Sequence, residues 1–196
     1  MTWAVFDDSH TRGIVEIIQS GSPRVTAIVG GSLLDAALDR TLSERLRNDK
    51  DIAGKLMKVG GALGNAGPKI DLLYLLYGLE KPARNAMYGL TEVRNFFAHN
   101  LDASFDSKKE RMVQAIEKLT LHVGLSHYPD HLTAKRRTKT AIESIKDNRD
   151  RFLVNLRLCL IALMQDRVSH APWSNTPLSY KKLRKSMKFA KAASSA

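Results

Sequence analysis

The chain has 196 residues, 43% of them hydrophobic, enough for one domain with a proper core or one domain with tails. Its net charge of +11 is uneven: Arg167 to Ala196 hold seven basic residues and no acidic one, and the remainder has 24 basic against 20 acidic residues, a net of +4. No stretch reaches ~18 uninterrupted apolar residues, which excludes a membrane span, and the single cysteine, Cys159, excludes an internal disulfide and reads as a small buried hydrophobe.

The N-terminus "MTWAVFDDSH" carries an early acidic pair and no basic region before an apolar run, unlike a secretory signal. These features together predict a soluble cytoplasmic protein. Asp8 or Ser9 can cap a first helix that runs to about Gln19, where "SGSP" ends it. Pro23 suits the first turn of a second helix over residues 23 to 47, in which Val25, Ile28, Val29, Leu33, Ala36, Ala37 and Leu42 recur at helical spacing. Gly30 and Gly31 interrupt it. Each costs roughly 1 kcal/mol against alanine in a helix interior, which is best explained by a second helix packing close at that point.

A short helix is expected over 49 to 59. The Gly-rich "GGALGNAGPK" that follows lacks the spacing and the Lys-Ser/Thr of a P-loop, and no strand precedes it. Gly67-Pro68 instead starts a helix, with Asp71 in its first turn, where a negative charge suits the dipole. The run "IDLLYLLYGL" is apolar nearly all round, the mark of a buried helix. A fourth long helix is predicted over 82 to 100, another over 107 to 123, and a last one over 133 to 168. In the last, Ile142, Ile145, Phe152, Leu156, Cys159 and Leu163 form one packed stripe interrupted by Arg149. No strand alternation and no repeat is present. The expected fold is an all-α, single-domain bundle of about five to seven helices over residues 1 to 168, with a basic tail over 169 to 196.

The chemistry concentrates in "EVRNFFAHN", Glu92 to Asn100. At 100° per residue, Ala86, Leu90, Val93, Phe97 and Leu101 fall within roughly 80° and form the core face. Tyr88, Glu92, Asn95 and His99 fall within roughly 60° on the opposite face, and Arg94 lies about 140° from His99. An arginine can hold a phosphate bidentately. A histidine that titrates near neutrality can take a ribose 2′-hydroxyl proton or protonate a leaving oxygen. Asn95, one turn before His99, can orient the ring or the phosphate, and Glu92 can steady either partner. On an ideal helix Arg94 and His99 do not meet. They converge only if the helix frays at Ala98 or if a second copy supplies one of them. The competing reading is that both are cations near a helix C-terminus, favoured there by its dipole alone. His122, His127 and His131 form the only other histidine group, with no ligand spacing around them, so no metal and no cofactor is expected.

"RNFFAH" resembles the signature of HEPN domains, α-helical bundles in which an arginine followed by a polar residue precedes a histidine by four to six intervening residues. That resemblance implies a metal-independent RNase site, built from Arg94 and His99 and shared across a dimer. A longer resemblance covers residues 25 to 101. The blocks "VTAIVGGSLLDAALDRTLSERLRND", "GGALGNAGPKIDLLYLLYGL" and "LTEVRNFFAHN" are similar in order and spacing to the mannitol-repressor (MtlR-like) family. That family is implicated in transcriptional control of sugar-alcohol uptake, without an obvious DNA-reading module.

The expected function is therefore an MtlR-like regulator in transcriptional or stress control, acting through protein or nucleic-acid contacts. The alternative is a toxin-like HEPN endoribonuclease using Arg94, Asn95, His99 and Glu92, and a third reading is a structural adaptor. Phosphate contacts are expected from Lys135, Arg136, Arg137 and Lys139, and from Lys181, Lys182, Arg184, Lys185 and Lys188. The alternative for the tail is a solvated end that aids solubility. A homodimer, an RNA or DNA ligand and a protein partner are the expected associations, with no membrane.

Overall fold

Helical periodicity and capping residues together decide the architecture. The computed structural model describes residues 16–46, 49–77, 79–124 and 145–169. After a helical turn at 16–20, the helices are α1 (Pro23–Arg45), α2 (Lys50–Met57), α3 (Ala66–Tyr77), α4 (Lys81–His99), α5 (Glu110–Glu117), α6 (Leu121–Gly124) and α7 (Asn148–Ser169). No strand occurs among the described residues, so the fold is an all-α bundle. The chain divides into two units, Met1–Met164 and Gln165–Ala196, and the packing described here lies in the first.

Local chemistry sets the helix starts. Ser22 accepts from Val25 N at 3.4 Å, with Pro23 at the first helical position. Asp49 accepts from Ile52 N at 3.1 Å to open α2. Asp147 accepts from Asp150 N at 2.8 Å, while Asp150 accepts from Lys146 N at 3.1 Å. That reciprocal pair fixes the start of α7 at Asn148. The long helix expected to continue back to residue 133 therefore does not include 145–147, and residues 133–144 lie outside the described ones.

α4 is the central element, packed against α1, α3 and α5. Its Ala86, Met87, Leu90, Val93 and Phe97 are fully buried. Gly30 and Gly31 of α1 allow the close approach expected of them. A Cβ at Gly30 would stand 3.0 Å from Leu156 and Phe152, and one at Gly31 would stand 2.5 Å from the Cβ and Cγ of Arg94. Phe105, from the loop after α4, fills the gap between Phe97 and Phe152, with ring centroids 4.8 and 5.5 Å apart. Phe152, Leu156, Cys159 and Leu163 of α7 are buried as the stripe predicts, and Val154, Asn155 and Leu160 are buried as well. Burial pushes the Cys159 thiol far up, out of reach of ionisation. Arg149, the break in that stripe, donates to the carbonyls of Gln19 and Gly21 at 2.8 and 2.7 Å, ending the helical turn at 16–20.

Three expectations need correction. The segment 107–123 is two helices, because α7 takes the backbone groups between them. The Leu119 carbonyl accepts from Arg151 Nε at 2.8 Å and from Asn155 Nδ2 at 3.3 Å, and Leu121 N donates to Asn155 Oδ1 at 2.9 Å. α3 is not buried all round: Ile70 and Leu73 are covered, but Leu75 is 76% and Leu76 50% exposed. Leu101 does not extend the core face, being 97% exposed, since α4 stops at His99 and Asn100 is already extended. No helix among the described residues is long and apolar enough to cross a membrane.

Candidate functional site

The polar stripe of α4 changes character along its length. At its start it is docked on α3. Tyr88 donates its hydroxyl to Gly67 O at 3.2 Å. Arg84 lies 5.4 and 5.0 Å from the ring centroids of Tyr74 and Tyr88 and pairs with Asp71 at 2.7 Å. The Arg84 hydrogen bond holds the Asp71 carboxyl below its ordinary range. Further along, Lys118, the C-cap of α5, donates to both oxygens of Glu92 at 2.6 Å. Glu92 thus lines a recess with Arg111 and Gln114 and is engaged there, not with Arg94 or His99.

Past Glu92 the stripe opens to solvent. Arg94 and His99 are exposed, and Asn95 is half-buried. Asn95 Oδ1 accepts from Arg94 Nη1 at 2.9 Å, and the Arg94 stem lies on the bare backbone of Gly31. One residue of the motif is thus held at both its base and its head. Neither Arg94 nor His99 has a carboxylate partner among the described residues. α4 remains helical through Ala98 and His99. Fraying therefore does not bring the two together, and within one chain about 140° of helix rotation separates them.

Two further cations border this end, neither singled out from the sequence. Arg24, at the start of α1, donates Nη1 to the Phe97 carbonyl and Nη2 to the carbonyls of Asn100 and Leu101, both at 2.6 Å. It satisfies helix-end acceptors and sets a positive charge against the negative end of the α4 dipole. Lys109 donates to Asn100 Oδ1 at 3.4 Å, lies 3.7 Å from Asp102 and sits 5.8 Å from the centre of the Phe96 ring. Both contacts join residues far apart or across an irregular loop, which no local pattern records. A basic residue next to a Ser-Pro helix start gives no hint of a carbonyl more than seventy positions on.

A second cluster that the sequence left unread holds α3 to α1. Lys69 is buried and reaches Asp35 at 2.8 Å and Asp39 at 2.6 Å. Burial alone would lower its pKa, but the hydrogen bonds and charges of the two carboxylates outweigh it and raise the value. The i, i+4 spacing of Asp35 and Asp39 was the available signal. No group of three or more metal-ligating side chains occurs among the described residues. His127, His131, Lys135, Arg136, Arg137, Lys139, Lys181, Lys182, Arg184, Lys185 and Lys188 lie outside the described residues. Comparison with protein-family models, curated proteins and solved structures finds no match to this chain.

Proposed function

We propose that this chain is a regulatory protein of mannitol-repressor type that works by contacting nucleic acid. The contacts assigned are the exposed end of α4, through Arg94, Asn95 and His99, and, from their charge alone, the basic residues of 135–139 and 181–188. The observation that carries the reading is that Arg94 and His99 both reach solvent with no carboxylate partner among the described residues. A fixed guanidinium of this kind suits a phosphate group, and the +11 charge of the chain favours polyanions in general. Affinity built this way is steeply salt-dependent and weakly sequence-dependent. The test is fluorescence anisotropy with labelled single-stranded RNA and duplex DNA across a salt series. Arg94→Ala should weaken binding by roughly the worth of one phosphate contact and flatten the salt slope by about 1, and His99→Ala should weaken binding as well. Binding that is absent, or indifferent to both changes, would sink the reading.

A second reading is favoured by the hydrogen bond between Asn95 and Arg94, which pre-orients the guanidinium, and by the exposure of the His99 side chain to solvent. It is a HEPN-type, metal-independent endoribonuclease with Arg94 from one copy and His99 from another. The imidazole takes the proton of a ribose 2′-hydroxyl, the 2′-oxygen attacks the adjoining phosphorus, and the 5′-oxygen leaves with a proton. The products are a cyclic phosphate and a 5′-hydroxyl. Cleavage of RNA in EDTA, lost in Arg94→Ala, in His99→Ala and with 2′-deoxy substrate, is the expected result. Cleavage surviving either protein change would exclude these residues.

A further inference from the structure

We infer that Arg24 is the positioning residue of the α4 end, holding His99 in place for the contact proposed above, on which this inference rests for its functional meaning. Its three acceptors bracket the histidine: the carbonyl of Phe97 lies two residues before His99, and those of Asn100 and Leu101 follow it. One rigid guanidinium therefore spans the point where α4 passes from helix to extended chain. Without it, three carbonyls at a helix end would have water as their partner, and the last turn would be free to fray. The imbalance matters because His99 itself has no anchor among the described residues; its position is that of its backbone.

The same face of α1 locates the other half of the motif. Arg24 and Gly31 are seven residues apart, about 10 Å along the helix and about 20° around it. Gly31 seats the stem of Arg94, while Arg24 holds the carbonyls around His99. The two helices run antiparallel, and α1 acts as a template that fixes the spacing of Arg94 and His99 along α4. A lysine at position 24 would keep the charge near the dipole but not the fork that reaches three carbonyls at once.

The test is NMR of the His99 ring and of the His99 and Asn100 amides in the full chain, with His99→Gln identifying the ring signal. Arg24→Met and Arg24→Lys should both shift or broaden these signals and leave those of His122 and Asn155 in place. Retention of the latter shows that the fold persists, and Arg24→Lys serves where Arg24→Met does not fold. Unchanged His99 and Asn100 signals in a folded variant overturn the inference. The functional arm uses the labelled single-stranded RNA. Arg24→Lys should weaken binding by a factor similar to His99→Ala, up to roughly tenfold. RNA binding lost in His99→Ala but kept in Arg24→Lys also overturns the inference. A wild-type chain that binds neither the RNA nor duplex DNA instead removes the proposed function, and the NMR arm then decides the role of Arg24 alone.

Discussion

Lys69 is a buried ammonium that owes its charge to two neighbours. Asp35 and Asp39 flank it from α1, both about half exposed, while the lysine side chain is 3% exposed. Replacing the lysine leaves two carboxylates that water can still reach, so the loss should fall below the ~3–5 kcal/mol of a fully buried broken pair. Lys69→Met should cost about 2 kcal/mol in urea denaturation, since the chain stem is kept and the pairing is lost. The raised pKa of Lys69 has a definite consequence with pH. A folded-state value above the unfolded one adds stability that is fully present below the ordinary 10.5 and is lost as pH rises through the folded value. The wild type should therefore lose more stability above 10.5 than Lys69→Met does. His122 behaves in the opposite sense. Burial first, and the nearby Arg151 charge second, lower its pKa below 6.5. Asn155 Oδ1 is committed to Leu121 N, so Asn155 Nδ2 faces His122 Nδ1 at 3.1 Å, and the neutral ring is the one that can accept from it. The stability this contributes is present above 6.5 and is lost as pH falls from there through the folded value. Denaturation midpoints measured from neutral to mildly acid pH should fall in the wild type and change less in His122→Gln, which keeps an acceptor but does not titrate. The spacing of Asp35 and Asp39 hints at a shared cation, but periodicity does not say which one, because Lys69 and the Asn155 partner of His122 lie thirty or more positions away.

The adjacent glycines of α1 show how an element carries information that its pattern only half reveals. Their cost in a helix interior announces a close neighbour, and both have one. Which neighbour each meets is a matter of tertiary packing. Gly30 faces the tips of Leu156 and Phe152, which can give way by a few tenths of an ångström, whereas Gly31 faces the root of the Arg94 side chain. Alanine at either position recovers roughly 1 kcal/mol of helix propensity. At position 30 this offsets the crowding, and Gly30→Ala should stay within about 1 kcal/mol of the wild type. At position 31 a contact of 2.5 Å with the Arg94 Cβ and Cγ forces α1 and α4 apart, and Gly31→Ala should lose about 2 kcal/mol. Arg94→Ala added to Gly31→Ala should restore little, because it leaves the Cβ in place. Urea denaturation of the three variants checks the order. The same competition between local and tertiary partners explains the break between α5 and α6. Helical spacing runs through it, but Arg151 and Asn155 take the backbone groups that would have continued the helix.

Over the whole molecule, what could be read in advance was what repeats every three or four residues. The all-α class, the buried stripe of α7 and the core face of α4 from Ala86 to Phe97 all follow from that period. Exposure at the ends did not follow. Leu101 continues the α4 pattern on paper but lies beyond the point where Asn100 turns the chain, and Leu75 and Leu76 belong to an apolar helix with one face uncovered. Of the candidate site, the outward stripe of Asn95 and His99 was legible, but the capture of Glu92 by Lys118 and the grip of Arg24 were not. Charge is the remaining property that belongs to no single element. The six basic residues between 179 and 196 carry more than half of the net +11, and no acidic residue accompanies them. If nucleic acid is the ligand, each of these cations that meets a phosphate adds roughly 0.7–0.9 to the log–log salt slope. Deleting residues 179 to 196 lowers the net charge to +5 and should reduce that slope by up to about 5. The weakening should be similar for RNAs of different sequence, because phosphate contacts carry little sequence information. Arg94→Ala should remove a further slope of about 1 from the shortened chain, as expected of an independent site. Anisotropy titrations of the full and shortened chains over a salt series measure both quantities. An unchanged slope after deletion would leave polyanion contact to the α4 end and the 135–139 segment.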